Sequence, residues 1–127
     1  MTGSLRFSLE ATDQFNRTFR RLAKSKAYGN DFKDVVGEVL RGLLHDPYPS
    51  NSRDEPLPRG TRIPEPWTFH KLTIKIGPGA SGQLRLVYLV NETDRIVKPL
   101  WIYSHEQFKK RPPDREIHGS IKEVFED

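Results

Sequence analysis

One charged side chain interrupts an otherwise apolar stretch of the sequence. Residues 82–90 read GQLRLVYLV, and Arg85 stands at a position where a buried strand would normally carry an apolar residue. An arginine stays ionised at any accessible pH, and its planar guanidinium can donate two hydrogen bonds to one phosphate. Taken alone, Arg85 therefore predicts an ion pair with a carboxylate such as Glu116 or Glu123 of the acidic C-terminal segment, and the alternative is a phosphate-binding site.

Lysines alternate with apolar residues in the preceding segment, residues 67–76, which read WTFHKLTIKI. Such alternation is typical of a strand whose successive side chains point to opposite faces. One face would carry Lys71, Thr73 and Lys75, and the other Leu72, Ile74 and Ile76. Because facing positions on adjacent antiparallel strands bring side chains to within about 5 Å of each other, we expect Arg85, Lys71 and Lys75 to meet on one face of a sheet.

Several aromatic residues accompany these cations. Trp67 and Phe69 fall on the lysine side of the strand, which predicts either a bulge near His70 or a partly aromatic active face. Together with Trp101 they can stack on nucleic-acid bases, although aromatic residues of a small domain lie more often in its core. Tyr48 we expect to be structural.

Two kinds of residue in this sequence can move protons. His105 follows the last predicted strand, after Tyr103, and a histidine titrates near neutral pH. A lysine with other cations nearby has a lowered pKa and can act as a base.

The sequence argues against several other kinds of site. It has no cysteine, so it can form neither a disulfide nor a thiolate metal site. The four histidines, at positions 45, 70, 105 and 118, lack the i, i+4 spacing of a helical metal site, and we predict no metal. Residues 77–82, GPGASG, lack the lysine and the following helix of a phosphate-binding loop, so we expect a simple turn there.

Length and composition indicate a single domain spanning residues 1–127, with 35% hydrophobic and 30% charged residues. No apolar run reaches the roughly 20 residues of a membrane-spanning helix, and the N-terminus has no secretory signal, so we expect a cytoplasmic protein. Lys and Arg outnumber Asp and Glu by nine to four over residues 60–111, whereas residues 112–127 carry two against five. A basic middle segment suits a phosphate-bearing partner if its charges converge on one face.

The hydrophobic patterns predict an α+β domain in the order β-α-α-β-β-β, with a further helix at the C-terminus. The expected elements are a short strand at 5–9, helices at about 12–26 and 31–46, three antiparallel strands between 67 and 103, and a final helix capped by Asp114. The two N-terminal helices would pack on one face of this meander and leave the other face open. Residues 47–66 hold six of the ten prolines, which predicts a long loop without helix or internal strand.

The order of these elements, together with five short stretches, resembles the RelE/ParE superfamily of bacterial toxins from type II toxin–antitoxin systems, with RelE- and HigB-like toxins as the nearest branch. The stretches are FNRTFRRLAKS, LRGLLHDPYP, LPRG, LRLVY and IYSHEQF. The resemblance covers most of the chain. The sequence departs from the family in the long 47–66 loop, in the extended 77–82 turn and in Pro99, which removes a ladder donor from the last strand and predicts a bulge or an edge there.

This resemblance implies an endoribonuclease toxin that cleaves messenger RNA at the ribosome without metal or other cofactor and is neutralised by a cognate antitoxin. The residues it implies are Arg85, Lys75 and His105 for catalysis, and Lys71, Tyr103, Lys109 and Lys110 for substrate binding. Arg85 would contact the scissile phosphate, while the identities of the base and the acid stay open. The basic face of the first helix, Arg17 to Lys26, would contact ribosomal RNA or an acidic antitoxin segment, or would simply be solvated.

Two other functions fit the same fold. A ParE-like toxin would inhibit DNA gyrase by protein–protein contact and would catalyse nothing. A decayed or regulatory domain would bind only its antitoxin. Exchange of Arg85 for alanine separates these functions, because only a nuclease would lose its toxicity with the guanidinium.

Overall fold

The computed structural model describes residues 6–25, 28–76 and 83–126, and it has the predicted α+β architecture. The elements are β1 (Ser8–Leu9), α1 (Asp13–Lys24), a 3₁₀ turn (Gly29–Asp31), α2 (Phe32–His45), β2 (Ser52–Asp54), β3 (Trp67–Lys75), β4 (Gln83–Asn91), β5 (Ile96–Ser104) and α3 (Asp114–Phe125). The strands form one sheet in the order β1-β5-β4-β3-β2, in which β1 runs parallel to β5 and the other neighbours are antiparallel. The turn predicted at 77–82 lies outside the described residues.

Helices α1 and α2 pack on one face of the sheet. The core between them includes Phe15 and Leu22 of α1, Phe32, Val36 and Leu43 of α2, and Leu84, Leu86, Tyr88 and Val90 of β4. The core residues of each helix are four or seven positions apart, about one or two helical turns, and those of β4 occupy every second position. The period of each element therefore decides which of its side chains face the core.

The second face of the sheet is only partly open, whereas an open face was expected. Helix α3 and the segment between β2 and β3 cover one end of it with a second apolar cluster. The buried members of this cluster are Phe69, Val87, Leu89, Leu100, Tyr103, Ile117 and Ile121, and Leu57, Ile63 and Trp67 pack against them. Burial of apolar area is worth about 25 cal/mol per Å², which favours covering such a surface. The uncovered end of this face is the one that holds Arg85.

Alternate side chains of β3 point to the same face of the sheet along the whole strand. Its register with β4 is continuous from Trp67 to Lys75, so the bulge considered near His70 is absent from this described strand. Trp67 and Phe69 share the lysine face because part of that face belongs to the second apolar cluster.

A bulge does occur in β5, where Pro99 predicted an irregularity. Val87 of β4 pairs with Trp101, and Tyr88 pairs with Pro99, so Leu100 is an extra residue on β5. A proline has no N–H for the ladder, and a bulge is one of the places where a sheet tolerates it.

The proline-rich segment 47–66 contains one short strand that the sequence did not predict. This strand, β2, pairs antiparallel with β3 and places Arg53 opposite Lys71 and Asp54 opposite His70. β2 lies at the edge of the sheet, where only one of its sides needs backbone partners. Three residues between prolines are therefore enough to form it.

The helix ends follow local capping, with one correction. The hydroxyl of Thr12 accepts a hydrogen bond from the backbone N–H of Phe15 (3.1 Å) and thereby caps α1. Asp114 does not cap α3, because Pro113 occupies the N-cap position and Asp114 lies in the first turn, where the helix dipole favours its charge. Within the described residues, no helix combines the length and the apolar character needed to cross a membrane.

We expect Thr12→Ala to lower the free energy of unfolding by about 1 kcal/mol, because it removes the cap of α1 and the hydrogen bond that the Thr12 hydroxyl donates to the Pro99 carbonyl (2.9 Å). Thr93→Ala, in the exposed turn between β4 and β5, is the matched control and should change this free energy by less than about 0.5 kcal/mol. Urea unfolding measures both. Equal stabilities of the two variants would contradict the capping role.

Candidate functional site

A cleft of about 590 Å³ opens at the uncovered end of the second sheet face. Its lining includes six cationic side chains, Arg53, Lys71, Arg85, Lys109, Lys110 and Arg111, and two carboxylates, Glu55 and Asp114. The cations come from the edge strand β2, from the paired strands β3 and β4, and from the segment between β5 and α3. This excess of positive charge makes the cleft suited to phosphate groups.

Arg85 lines the cleft from the central strand β4, where it is half-buried. It faces Tyr103 of β5, and its Nη1 donates a hydrogen bond to the side-chain oxygen of Gln83 (3.3 Å). Among the residues that the structure describes, no carboxylate forms an ion pair with Arg85. The alternative of an ion pair with Glu116 or Glu123 is therefore wrong.

Lys71 lies on β3 in the same cleft, with 8% of its surface exposed. Its Nζ is 3.7 Å from Oε2 of Glu55 and 3.5 Å from the carbonyl oxygen of Lys110. Burial lowers the pKa of Lys71 below its usual 10.5; the Glu55 carboxylate opposes this shift, and the neighbouring arginines add to it. Lys71 therefore loses its proton more readily than an exposed lysine.

Glu55 is the carboxylate around which the cations gather, and only 5% of its side chain is exposed. Its Oε2 accepts a hydrogen bond from Nη1 of Arg111 (3.0 Å), and its Oε1 lies 3.9 Å from Nε of Arg53. The backbone N–H of Glu55 donates to the carbonyl of Phe69 (3.0 Å), so the sheet fixes its position. A buried carboxylate needs such partners, because leaving it unpaired is strongly destabilising.

Arg111 holds the segment after β5 against the proline-rich segment. Besides its ion pair, Nη1 donates to the carbonyl of Pro56 (2.6 Å), and Nη2 donates to Oδ1 of Asp114 (3.0 Å). The side chain of Arg111, which lies in the segment between β5 and α3, thus contacts both the proline-rich segment next to β2 and the first turn of α3. Lys109 and Lys110, which precede it, are exposed where they line the cleft.

Tyr103 is fully buried at the end of β5, and its hydroxyl donates to the carbonyl of Lys110 (2.8 Å). Burial raises the pKa of the Tyr103 phenol well above its usual range, and the charge of Glu55 acts in the same direction. Tyr103 therefore keeps its proton, and its hydroxyl holds the segment between β5 and α3 in place. A direct contact of Tyr103 with substrate stays a prediction.

Apart from Tyr103, the predicted site residues fall into two groups. The cleft brings together Arg85, Lys71, Lys109 and Lys110. Lys75 and His105 lie outside its lining and flank Gln83: Lys75 pairs with it across the sheet, and the backbone N–H of His105 donates to its carbonyl (3.2 Å). The Nδ1 atom of His105 is buried without a hydrogen-bond partner among the described residues. The catalytic roles of Lys75 and His105 stay predictions.

Three charged residues of the cleft were not predicted from the sequence, namely Arg53, Glu55 and Arg111. Glu55 stands in a proline-rich segment, and its partner Arg111 is 56 residues away along the chain. No periodic pattern links residues so far apart. The one available signal was the run of charges from Arg53 to Glu55 between prolines.

A second hollow, of about 380 Å³, continues the cleft along the β2 edge. Arg53, Lys71 and Arg85 line both spaces, and Ser50, Asn51, Ser52 and Thr73 complete the second one. The two spaces form one extended cationic groove. A groove of this kind suits a chain of phosphates that tracks along it.

We expect Glu55→Gln to lower the pKa of Lys71 further, because the substitution removes the charge that opposes the shift. An NMR titration of the Lys71 side chain measures this pKa in both proteins. Glu123→Gln, on the exposed side of α3, is the control and should leave it unchanged. An unchanged or higher pKa in Glu55→Gln would show that Glu55 does not stabilise the charge of Lys71.

Two solved structures share this arrangement of elements. The E. coli toxin RelE, as a double arginine-to-alanine mutant in the free state, is 16% identical; the match covers 95% of this chain and 99% of that chain, with a TM-score of 0.55. A chain of the archaeal RelE–RelB complex from Pyrococcus horikoshii is 17% identical, over 77% of this chain and 93% of that chain, with a TM-score of 0.51. Neither a protein-family model nor a curated protein sequence matches the chain. At these identities the likeness concerns architecture, and the chain has the RelE-like fold.

Proposed function

We propose that this chain is the toxin of a toxin–antitoxin pair and that it cleaves messenger RNA at the ribosome as a metal-independent endoribonuclease. The observation that carries the proposal is the place of Arg85, which lines a cationic cleft without an ion-pair partner among the described residues. The fold that the chain shares with E. coli toxin RelE supports it.

The proposed reaction is attack of the 2′-oxygen of RNA on the adjacent phosphorus. A base takes the proton of the 2′-hydroxyl, the bond from phosphorus to the 5′-oxygen of the next nucleotide breaks, and an acid protonates that leaving oxygen. Because the substrate supplies the nucleophile, the protein has to supply proton transfer and the charge that stabilises the pentacoordinate phosphate.

The cleft contains groups suited to both tasks. Arg85 would bind the non-bridging oxygens of the scissile phosphate, and Arg53 would bind a neighbouring phosphate along the same groove. Lys71 would transfer the proton, since its lowered pKa increases the neutral fraction that can act as a base. Glu55 would hold Lys71 and Arg111 in position.

The remaining predicted residues would extend this contact. Lys109 and Lys110 would bind phosphates further along the rim of the cleft. Lys75 and His105, on either side of Gln83, would meet the RNA beyond the cleft, where His105 is available as an acid or a base.

A cognate antitoxin completes the proposal. The P. horikoshii protein is found in complex with RelB. In this chain the exposed basic residues of α1, Arg17, Arg20, Arg21 and Lys24, would accept an acidic segment of such a partner. Action on ribosome-bound messenger RNA would place the protein in the cytoplasm.

Arg85→Ala tests the proposal directly. We expect the substitution to slow cleavage of a ribosome-bound message by on the order of 10²–10³-fold, because a donor to the transition-state charge is lost. Arg59→Ala, in an exposed turn outside the cleft, is the matched control. Circular dichroism and antitoxin binding should be unchanged in both variants.

The growth of cells that express each variant distinguishes the rival functions. Loss of toxicity together with loss of RNA cleavage supports the nuclease. Full toxicity of Arg85→Ala would contradict it and favour an inhibitor of gyrase. A wild-type chain that binds antitoxin but neither cleaves RNA nor slows growth would be a domain without catalytic function.

The cleavage rate is expected to rise with pH and to level off below pH 10.5, the usual pKa of a lysine. Since burial lowers the pKa of Lys71, its neutral form becomes available at a lower pH than that of an exposed lysine. Single-turnover rates over a pH series measure this. Lys71→Arg keeps the charge but does not deprotonate, so it should bind RNA and lose the rise, whereas Lys75→Arg should retain it. A rise that survives Lys71→Arg would assign the proton transfer to another group.

A further inference from the structure

We propose that Tyr48 forms one wall of a nucleobase-binding site near the cationic cleft, and that this site takes a base of the RNA that the cleft binds, further along the strand from the scissile phosphate. The inference rests on the proposed function for the identity of the RNA as substrate. Its own evidence is a row of three contacting rings, the hydrogen bonds that hold the turn carrying Tyr48, and the continuity of this site with the cleft.

Three rings contact one another in a row from the core to the surface. Tyr88, in the core, is stacked on His70 at 5.5 Å, with an angle of 28° between the planes, and the ring of His70 makes a tilted contact with that of Tyr48 at 5.1 Å and 55°. Tyr88 is fully buried and His70 is 4% exposed, whereas Tyr48 is 40% exposed. Among the described residues Tyr48 is the large apolar side chain that stands out into solvent. The exposed ring of Tyr48 offers a flat ligand in the adjoining hollow a surface on which to stack.

The turn that carries Tyr48 is held rigidly. The backbone N–H of Tyr48 donates to Oδ1 of Asp46 (3.0 Å), and the carbonyl of the preceding Pro47 accepts a hydrogen bond from the buried hydroxyl of Tyr88 (2.8 Å). Prolines on both sides, Pro47 and Pro49, restrict the backbone. Little conformational entropy remains to be lost when a ligand stacks on the ring, which favours binding.

The hollow beside Tyr48, of about 400 Å³, has polar groups suited to the edge of a base. Thr68 Oγ1 lies 2.7 Å from Nε2 of His70, and Nδ1 of His70 lies 3.3 Å from Oδ1 of Asp54. The Asp54 carboxylate is exposed and has acceptor capacity left for the amino group of a base. The same negative charge disfavours a phosphate here. The chemistry of the hollow therefore suits a base, and that of the cleft suits the phosphate.

The hollow and the cleft adjoin each other at the edge strand β2. Arg53 lines both spaces. Arg53 pairs with Lys71 and Asp54 pairs with His70, and successive side chains of a strand point to opposite faces. The two spaces therefore lie on the two faces of the sheet, separated by one edge strand. A single-stranded RNA that passes around this edge can place a phosphate against Arg85 and, further along the strand, a base against Tyr48.

The test is the affinity of the full chain for a fluorescein-labelled 2′-O-methyl oligoribonucleotide of mixed sequence, which lacks the free 2′-hydroxyl needed for cleavage. Tyr48→Leu should weaken binding by about ten- to a hundredfold, as expected when one base loses an aromatic partner. Tyr48→Phe and Tyr48→Trp, which keep a ring, should bind within about threefold of the wild type. The dependence of affinity on salt should be unchanged in Tyr48→Leu, because no phosphate contact is removed.

An oligomer of the same backbone without bases provides the matched control. The wild type and Tyr48→Leu should bind it equally, since stacking is absent from both complexes. Equal affinity of these two proteins for the base-bearing oligomer would overturn the proposal, as would a loss of affinity in Tyr48→Phe equal to that in Tyr48→Leu.

The outcome for Tyr48 is separable from the outcome for catalysis. If the wild type cleaves RNA and Tyr48→Leu binds the oligomer as tightly as the wild type, only the base site is refuted. If Tyr48→Leu weakens binding but the wild type cleaves nothing, the base site stands and the nuclease proposal fails. Thermal unfolding of each variant confirms that the exposed substitution leaves the fold intact.

Discussion

The buried carboxylate of Glu55 is the constraint on which the cationic cleft depends. It lies within 3.9 Å of Arg53, Lys71 and Arg111. Without it these cations would repel one another in a partly desolvated site, where charge interactions are stronger than in water. Its pairing also joins the edge strand, the centre of the sheet and the segment before α3. The charge of Glu55, together with that of Asp114 on Arg111, therefore keeps the cations assembled and leaves Arg85 available to a ligand.

On the second face of the sheet, the apolar cluster and the cationic cleft are separated by only two residues along each strand. On β4, buried Val87 and half-buried Arg85 are two residues apart on the same face, and on β3 the same step leads from Phe69 to Lys71. Helix α3 and the proline-rich segment cover the apolar side of this boundary. Because the other face of both strands packs against α1 and α2, the backbone that carries these charges is held in place, as a preorganised site requires.

The fold could be predicted from the spacing of apolar residues, because alternation in strands and the i, i+3, i+4 repeat in helices indicate which side chains face a core. The same parity placed Arg85 and Lys71 on one face. Parity does not report how far a covering helix extends along a strand, so an open face was predicted where α3 packs. It also cannot reveal partners that meet through long loops, as Glu55 and Arg111 do. The same holds for Tyr48, whose ring partner His70 lies on the distant strand β3.

The parallel pairing of β1 with β5 affects how the protein can be made. Ser8 pairs with Ile96, and the hydroxyl of Thr18 in α1 accepts a hydrogen bond from the backbone N–H of Ile102 (3.2 Å). During translation β1 has no strand partner until β5 has emerged from the exit tunnel, and contacts of such long sequence separation are slow to form. Incomplete nascent chains that stop before β5 therefore lack the native sheet, and the cleft is assembled only at a late stage of synthesis.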